Sequence, residues 1–154
     1  MHTHARRHAH GFTLLELMVV VTIVALATAG ATLALRDGSA TRLEREALRL
    51  AALLESARAQ SRTSGMPVQW RTRPGGFEFV GVKPQRDASR SLAEPRTWLD
   101  ADTHASITLP SGANSLILGP EPLIAAQRVV LRQDERQITL ATDGLSPFAV
   151  VSEP

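Results

Sequence analysis

The amino-acid sequence predicts an α+β fold. Three observations in its 154 residues carry that reading. Residues 12–35 are an apolar run, residues 43–57 hold an apolar stripe at helical spacing, and the chain beyond residue 66 breaks into short β-rich runs between turn residues. A long helix laid against antiparallel strands buries the stripe and one face of the strands together. The length suits one globular domain plus a tail.

The amino end divides into a polar stretch, residues 1–11, and the run FTLLELMVVVTIVALATAGATLAL, residues 12–35. At about 1.5 Å per residue that run reaches roughly 36 Å, enough to cross a hydrocarbon core of about 30 Å. It has no polar face, so it reads as a membrane helix rather than a soluble amphipathic one. Arg6 and Arg7 precede it and no acid lies among the first eleven residues. The amino end is therefore expected to stay cytoplasmic, with the rest of the chain exported.

Glu16 is the one charge in the run. An acid inside a membrane helix costs about 2.5–3.5 kcal/mol on insertion scales, so it needs a shallow position or a cation at its own depth. The arginines lie nine or more residues upstream, whereas an amino terminus created at Phe12 would lie four residues away. Within one helix that amine and the carboxylate sit about one turn apart, and between neighbouring helices they pair directly.

The string Gly11-Phe12-Thr13-Leu14-Leu15-Glu16-Leu17-Met18-Val19-Val20-Val21 resembles the class III signal sequence of type IV pilins and pseudopilins. The resemblance implies a prepilin peptidase that cuts between Gly11 and Phe12 on the cytoplasmic side and N-methylates Phe12. Glu16 then becomes the acid that helps insert each subunit and register it in a helical filament. Cleavage would leave 143 residues with fifteen cations against fifteen acids, so the basic character belongs to the leader. The His-x-His pairs formed by His2, His4, His8 and His10 would leave with that leader, which argues against a metal site there.

A different class of reading uses Ala27-Thr28-Ala29, an A-x-A pattern suited to ordinary signal peptidase cutting before Gly30. That would release a soluble periplasmic binding domain, at the expense of an acid in the h-region. Arg6-Arg7 as a twin-arginine signal lacks the usual hydrophobic residues downstream.

Asp37-Gly38-Ser39 reads as a loosening point, and Thr41-x-x-Glu44 as a capping box that restarts the helix. Leu43, Ala47, Leu50, Leu54 and Ala57 then form the stripe, widened by Leu48, Ala51 and Ala52. Arg42–Glu46, Glu46–Arg49 and Glu55–Arg58 are helix-neighbour pairs expected on the outer face. Arg42, Arg45, Arg49, Arg58 and Arg62 alternate with Glu44, Glu46 and Glu55, which suits a solvated helix face better than a nucleic-acid face. Ser64-Gly65 and Pro67 should end the helix.

Beyond it, residues 68–72 and 77–82 flank Pro74-Gly75-Gly76 and predict a hairpin. Residues 83–97, with Lys83, Arg86, Arg90 and Arg96, read as an exposed basic loop. Further strands are expected at 106–109, 115–118, 128–133, 137–141 and 148–151. Asp134-Glu135-Arg136 should turn one hairpin and Asp143-Gly144 should start the last turn. About seven strands and a helix result, the sheet burying one face under the stripe. The expected organisation is a leader at 1–11, a transmembrane helix at 12–36, an amphipathic periplasmic helix at 37–65 and a β-rich periplasmic domain at 66–154.

This half is similar to the minor pseudopilin H family of type II secretion, which is related to minor pilins of the FimT/FimU kind. The similar segments are Leu53-Leu54-Glu55-Ser56-Ala57-Arg58, Gly65-Met66-Pro67-Val68, Trp98-Leu99 and Thr142-Asp143-Gly144-Leu145-Ser146-Pro147-Phe148. Residues 83–97 and 110–127 have no counterpart in it. The resemblance implies a pilin-like fold, an inner-membrane anchor and assembly into the tip of a short periplasmic pseudopilus. Its implied partners are pseudopilins I, J and K, the major pseudopilin G, the prepilin peptidase and the inner-membrane assembly platform. It implies a part in exporting folded proteins across the outer membrane. The alternative within this class is a minor type IV pilin in pilus assembly or DNA uptake. Leu33 stands where the major pseudopilin carries a proline, and the chain lacks cysteine for the disulfide loop of major pilins.

No enzyme, cofactor or metal centre is expected. Without cysteine there is no thiolate site or thiol nucleophile. With four Phe, two Trp and no Tyr, stacking platforms for single-stranded nucleic acid are scarce. His104, in Asp100-Ala101-Asp102-Thr103-His104, reads as a solvated strand edge because no further ligand pattern converges on it. Gly144-Leu145-Ser146-Pro147-Phe148 lacks the second glycine of a nucleophile elbow, and Pro74-Gly75-Gly76 lacks the lysine of a phosphate loop.

Overall fold

The computed structural model describes residues 13–84 and 91–151, with residues 29–40 described by their backbone alone. Helix α1 spans Leu14–Ser64. The chain divides into two compact units, Met1–Gly38 and Ser39–Pro154.

In the first unit α1 opens on a side-chain cap. Thr13 Oγ1 accepts the Glu16 N–H at 3.2 Å, and the Thr13 carbonyl accepts the Leu17 N–H at 3.1 Å. Thr22 and Thr28 turn their hydroxyls back onto the carbonyls of Met18 and Val24, both at 2.8 Å. Such bonds satisfy the hydroxyl within the helix and hide its polarity from apolar surroundings. Leu14, Leu15, Leu17, Met18, Val19, Val20, Val21, Ile23, Val24 and Leu26 are all exposed.

Among the described residues, no helix is long and apolar enough to cross a membrane. The apolar run expected to span at 12–36 continues past Thr28 into residues 29–40, whose side chains lie outside the description. The expected helix restart at Thr41 is not what the backbone does. Residues 37–44 are helical throughout, so Thr41-x-x-Glu44 is helix interior, and the helix start capped by threonine lies at Thr13.

The second unit carries strands β1 (Gln69–Arg73), β2 (Gly76–Val80), β3 (Arg96–Thr97), β4 (His104–Leu109), β5 (Leu116–Ile117), β6 (Gln127–Gln133), β7 (Arg136–Thr142) and β8 (Ala149–Val151). They form two four-stranded sheets, in the orders β3-β2-β1-β5 and β4-β6-β7-β8. The strand pairings among the described residues are antiparallel. The expected strands appear within a few residues of their expected ends. The added strand β3 holds only two residues, too few to show a period in sequence. It fits because Gly76 has no side chain: a Cβ there would lie 2.0 Å from the Arg96 carbonyl oxygen.

Alternation along β6 displays the inward set. Gln127, Val129, Leu131 and Gln133 are buried, while Arg128 and Arg132 are exposed. Leu43, Ala47, Leu50, Leu54 and Ala57 of α1 pack in one core with Trp70, Phe77 and Phe79 of the first sheet and Val129, Leu131 and Leu140 of the second. Phe77 lies at the aromatic centre, with ring centroids 4.8 Å from Trp98, 6.0 Å from Phe79 and 6.1 Å from Trp70. Burial of each such side chain is worth about 1.5–3 kcal/mol. Leu48 and Ala52 do not widen the stripe. Both are exposed, and only Ala51 packs against the core.

A buried amide joins the two sheets. Gln127 Oε1 accepts the Ile117 N–H at 3.0 Å, and Gln127 Nε2 donates to the Ile117 carbonyl at 2.7 Å. The side chain thus takes the place of a neighbouring strand at the edge of β5. The basic loop expected to be exposed over 83–97 is only partly so. Lys83 and Pro84 are exposed, residues 85–90 (Arg86 and Arg90 included) lie outside the described residues, and Ser91 and Leu92 are buried. Arg96 donates to the Ser91 carbonyl at 3.1 Å, which folds this part of the segment back on itself.

Replacing Gln127 with Leu would leave both polar groups of Ile117 without partners. A loss of about 2–4 kcal/mol is expected, measurable by urea denaturation followed through the fluorescence of the core tryptophans Trp70 and Trp98.

Candidate functional site

Two places in the chain carry distinctive polar chemistry, one in each unit. In the second unit, charged residues of α1 reach backbone groups that have no sheet partner. Arg58 is 2 % exposed and donates to the carbonyl of Gly144 and, at 3.1 Å, to that of Ser146. Glu55 accepts the Phe148 N–H at 3.0 Å and lies 3.7 Å from Arg58. Glu46, 1 % exposed, accepts the Leu99 N–H at 2.7 Å and the Arg49 guanidinium at 3.0 Å. Arg49 in turn donates to the Thr97 carbonyl at 3.2 Å and has its guanidinium carbon 5.8 Å from the Phe77 ring centre, a cation–π distance.

These contacts correct the expectation that Glu46 and Arg58 decorate an outer, solvated face. The signal was in the spacing. Glu46 lies three residues after Leu43 and four before Leu50, and Arg58 lies four after Leu54. Those steps put both charges beside the buried stripe.

The loop that Arg58 grips is built by its own side chains. Asp143 Oδ1 accepts the N–H groups of Leu145 (2.9 Å) and Ser146 (2.7 Å), and Thr142 Oγ1 accepts the Gly144 N–H at 3.0 Å. The Thr142 hydroxyl donates to the Ser146 carbonyl at 2.6 Å. Gly144 has φ +97, and a Cβ there would meet the Ile124 carbonyl oxygen at 2.0 Å, so only glycine fits. The N–H bonds from Ser146 first, then from Leu145, hold the Asp143 carboxyl below its usual 3.8. The two family-like segments of the sequence, around Arg58 and around Gly144, are thus the two sides of one latch. Its tip presents Leu145, 74 % exposed, to solvent.

Beside α1 the second unit has a groove of about 490 Å³, lined by Glu44, Leu48, Gln137, Ile138, Thr139, Val150 and Val151. Among the described residues that line it, Glu44 is the one ionisable side chain. Among the described residues, no three His, Cys, Asp or Glu side chains cluster as a metal site would need. His104 is exposed at the start of β4, its Nδ1 2.9 Å from the Asp102 carbonyl oxygen. Residues 100–102 lie in a turn rather than in the strand. Asp100 faces Arg42 at 3.3 Å instead.

In the first unit, the expected processing residues Gly11 and Phe12 lie outside the described residues. Glu16 is exposed in the first turn of α1, where a carboxylate interacts favourably with the helix N-terminus. The Thr13 cap beside it has capping-box spacing, Thr13-x-x-Glu16, a signal masked in sequence by the apolar run that follows.

A helix followed by antiparallel sheets defines a pilin-like protein. The type IV minor pilin FimU of Pseudomonas aeruginosa has a similar fold, with a TM-score of 0.53 at 15% identity over 75% of this chain and 91% of that one. The prokaryotic N-terminal methylation motif matches residues 6–32, and the type II transport protein GspH family matches residues 46–144. The chain belongs to the GspH family of type II transport proteins. Comparison with the curated proteins gives no match.

Arg58→Met keeps the stem but takes the charged donor from the Gly144 and Ser146 carbonyls, leaving them the weaker neutral bonds from the Ile124 N–H and the Thr142 hydroxyl. A loss of about 3 kcal/mol is expected, read by urea denaturation. Because the folded Asp143 carboxyl titrates below its unfolded value near 3.9, its contribution is complete above that value and fades as pH falls through the lowered one. Asp143→Asn should therefore flatten the acid limb of the stability profile below about pH 4, seen by comparing urea midpoints of both chains across pH.

Proposed function

We propose that the chain is a minor pseudopilin of type II secretion, made as a membrane-inserted precursor and cut between Gly11 and Phe12. One observation carries the reading: an N-terminal methylation motif and a GspH-family region occur in order on one chain. In this reading residues 1–11 are a leader, 12–36 anchor the subunit in the inner membrane with the amino end cytoplasmic, and 37–154 lie in the periplasm. The apolar character of residues 12–35 supports the anchor.

The work is mechanical rather than catalytic. Cleavage frees the Phe12 amine, which is then methylated. Glu16, four residues on, supplies the carboxylate that meets such an amine within or between helices. The second unit offers neighbours an apolar surface around Leu48 and Val150 and the exposed Leu145. Pseudopilins I, J and K, the major pseudopilin G, the prepilin peptidase and the assembly platform are the partners in this reading. The assembled pseudopilus helps move folded proteins across the outer membrane.

The second reading, a minor type IV pilin, draws on the fold likeness to FimU. Co-purification with pseudopilins I, J and K distinguishes the two, since a pilus subunit would not copurify with them.

The test is the mature amino terminus, from intact mass and terminal sequencing of protein made alongside an active prepilin peptidase. Methylated Phe12 on a 143-residue chain is expected, and a chain starting at Gly30 overturns the proposal. Gly11→Val, which sets a branched side chain beside the scissile carbonyl, should leave only precursor. Glu16→Gln should be cut normally yet fail to enter pseudopili when these are isolated and immunoblotted.

A further inference from the structure

We propose that the face of the second sheet turned away from the core docks an acidic protein segment, one that brings an apolar side chain and a pair of carboxylates. The inference rests on the secretion reading above and deepens it, because it gives a neighbouring pseudopilin a surface to bind.

Val129, Leu131 and Leu140 belong to the core. Side chains alternate along a strand, so Arg128 and Arg132 lie on the opposite face, together with their cross-strand partners. Arg128 stands opposite Leu109 of β4 and Ala141 of β7, and Ala141 stands opposite Ala149 of β8. Arg132 stands opposite His104 and Gln137. A groove of about 430 Å³ follows the Arg128 row, with Leu109, Arg128, Ala141, Ala149, Val151 and Asp143 among its lining residues. Leu109 and Ala149 are exposed there, and Ala141 and Val151 half-buried. The small side chains at Ala141 and Ala149 leave room for a larger apolar one from outside.

The charges define the segment that fits. Arg42, Arg49, Arg58, Arg71 and Arg73 each have a carboxylate within 3.7 Å. Arg128 and Arg132 are exposed, and among the described residues neither has a hydrogen bond or an ion pair. The Asp143 carboxylate in the groove wall is taken up by the N–H groups of Leu145 and Ser146. Four residues along a strand cover about 13 Å, which sets the spacing of the carboxylates that answer the two arginines. Two cations neutralise too few phosphates to hold a nucleic acid at physiological salt. Among the described residues, no aromatic side chain lines the groove for a base to stack on. An acidic protein surface satisfies both the free guanidinium groups and the apolar groove.

The test uses the full chain co-expressed in membranes with pseudopilins G, I, J and K, with p-benzoylphenylalanine in place of Ala149. Illumination should cross-link it to one of these pseudopilins, at a peptide carrying two Asp or Glu residues. Arg128→Glu combined with Arg132→Glu should lower the cross-link yield roughly ten-fold, because like charges then face each other. Arg45→Glu combined with Arg62→Glu, an equal change at exposed arginines of α1, should leave the yield unchanged. Limited proteolysis reports whether the second unit is intact in every variant. A cross-link to a segment without acids, to lipid or to nucleic acid overturns the proposal, as does an equal loss from both pairs of substitutions. Co-purification with the pseudopilins without a cross-link at Ala149 overturns it and spares the secretion reading. Failure to co-purify with any of them overturns that reading and takes this inference with it.

Discussion

Backbone polar groups that leave a sheet still need partners, and in this protein α1 supplies many of them. The buried Arg58 and Glu46, with the half-buried Glu55, point from the two sides of the apolar stripe to Gly144, Ser146, Leu99 and Phe148. Each is a charge-assisted bond to a main-chain group, stronger than its neutral counterpart. The apolar stripe holds the helix to the sheets, and these bonds fix where the loops between and after the strands run. A helix with the same stripe and no buried charges would cover the core but leave the closing loop unanchored.

The two units suit different surroundings. In the second, charges are buried against main-chain groups and a glutamine bridges two sheets. In the first, polar atoms are hidden within the helix itself, threonine hydroxyls on carbonyls and a threonine cap on the first turn. Self-satisfaction is what an apolar solvent demands, and loop anchoring is what a small β-rich domain with short strands demands. Both kinds of polar chemistry occur along one helix, α1.

The latch also gives physical content to the family-like segments. A helix segment ending in Ala57-Arg58 and a turn beginning Asp143-Gly144 are 85 residues apart in sequence, counting from Arg58 to Asp143. They belong together because the guanidinium needs two carbonyls and the turn can offer them only if Gly144 adopts a left-handed φ. The turn in turn leaves Leu145 exposed, so a buried arginine holds a surface leucine in place.

Much was legible from the sequence because it depends on local pattern. The apolar run, the stripe from Leu43 to Ala57, the helix stop at Ser64, the Pro74-Gly75 hairpin and the strands other than β3 each follow from periodicity and turn chemistry within a few residues. The N-terminal methylation motif, matched over residues 6–32, is likewise a contiguous pattern. Long-range contacts decided the rest. Whether Glu46 and Arg58 face water or the core depends on loops some fifty and some eighty-five residues away. The split into two sheets depends on Gln127 reaching Ile117, and the two-residue strand β3 exists because Gly76 admits a neighbouring carbonyl. Thr41 shows the limit from the other side: its capping-box spacing is real, but a helix already running through it has no orphan N–H groups to cap. Local chemistry proposes where elements begin and end, and tertiary packing chooses among those proposals because only it brings a distant partner for each buried polar group.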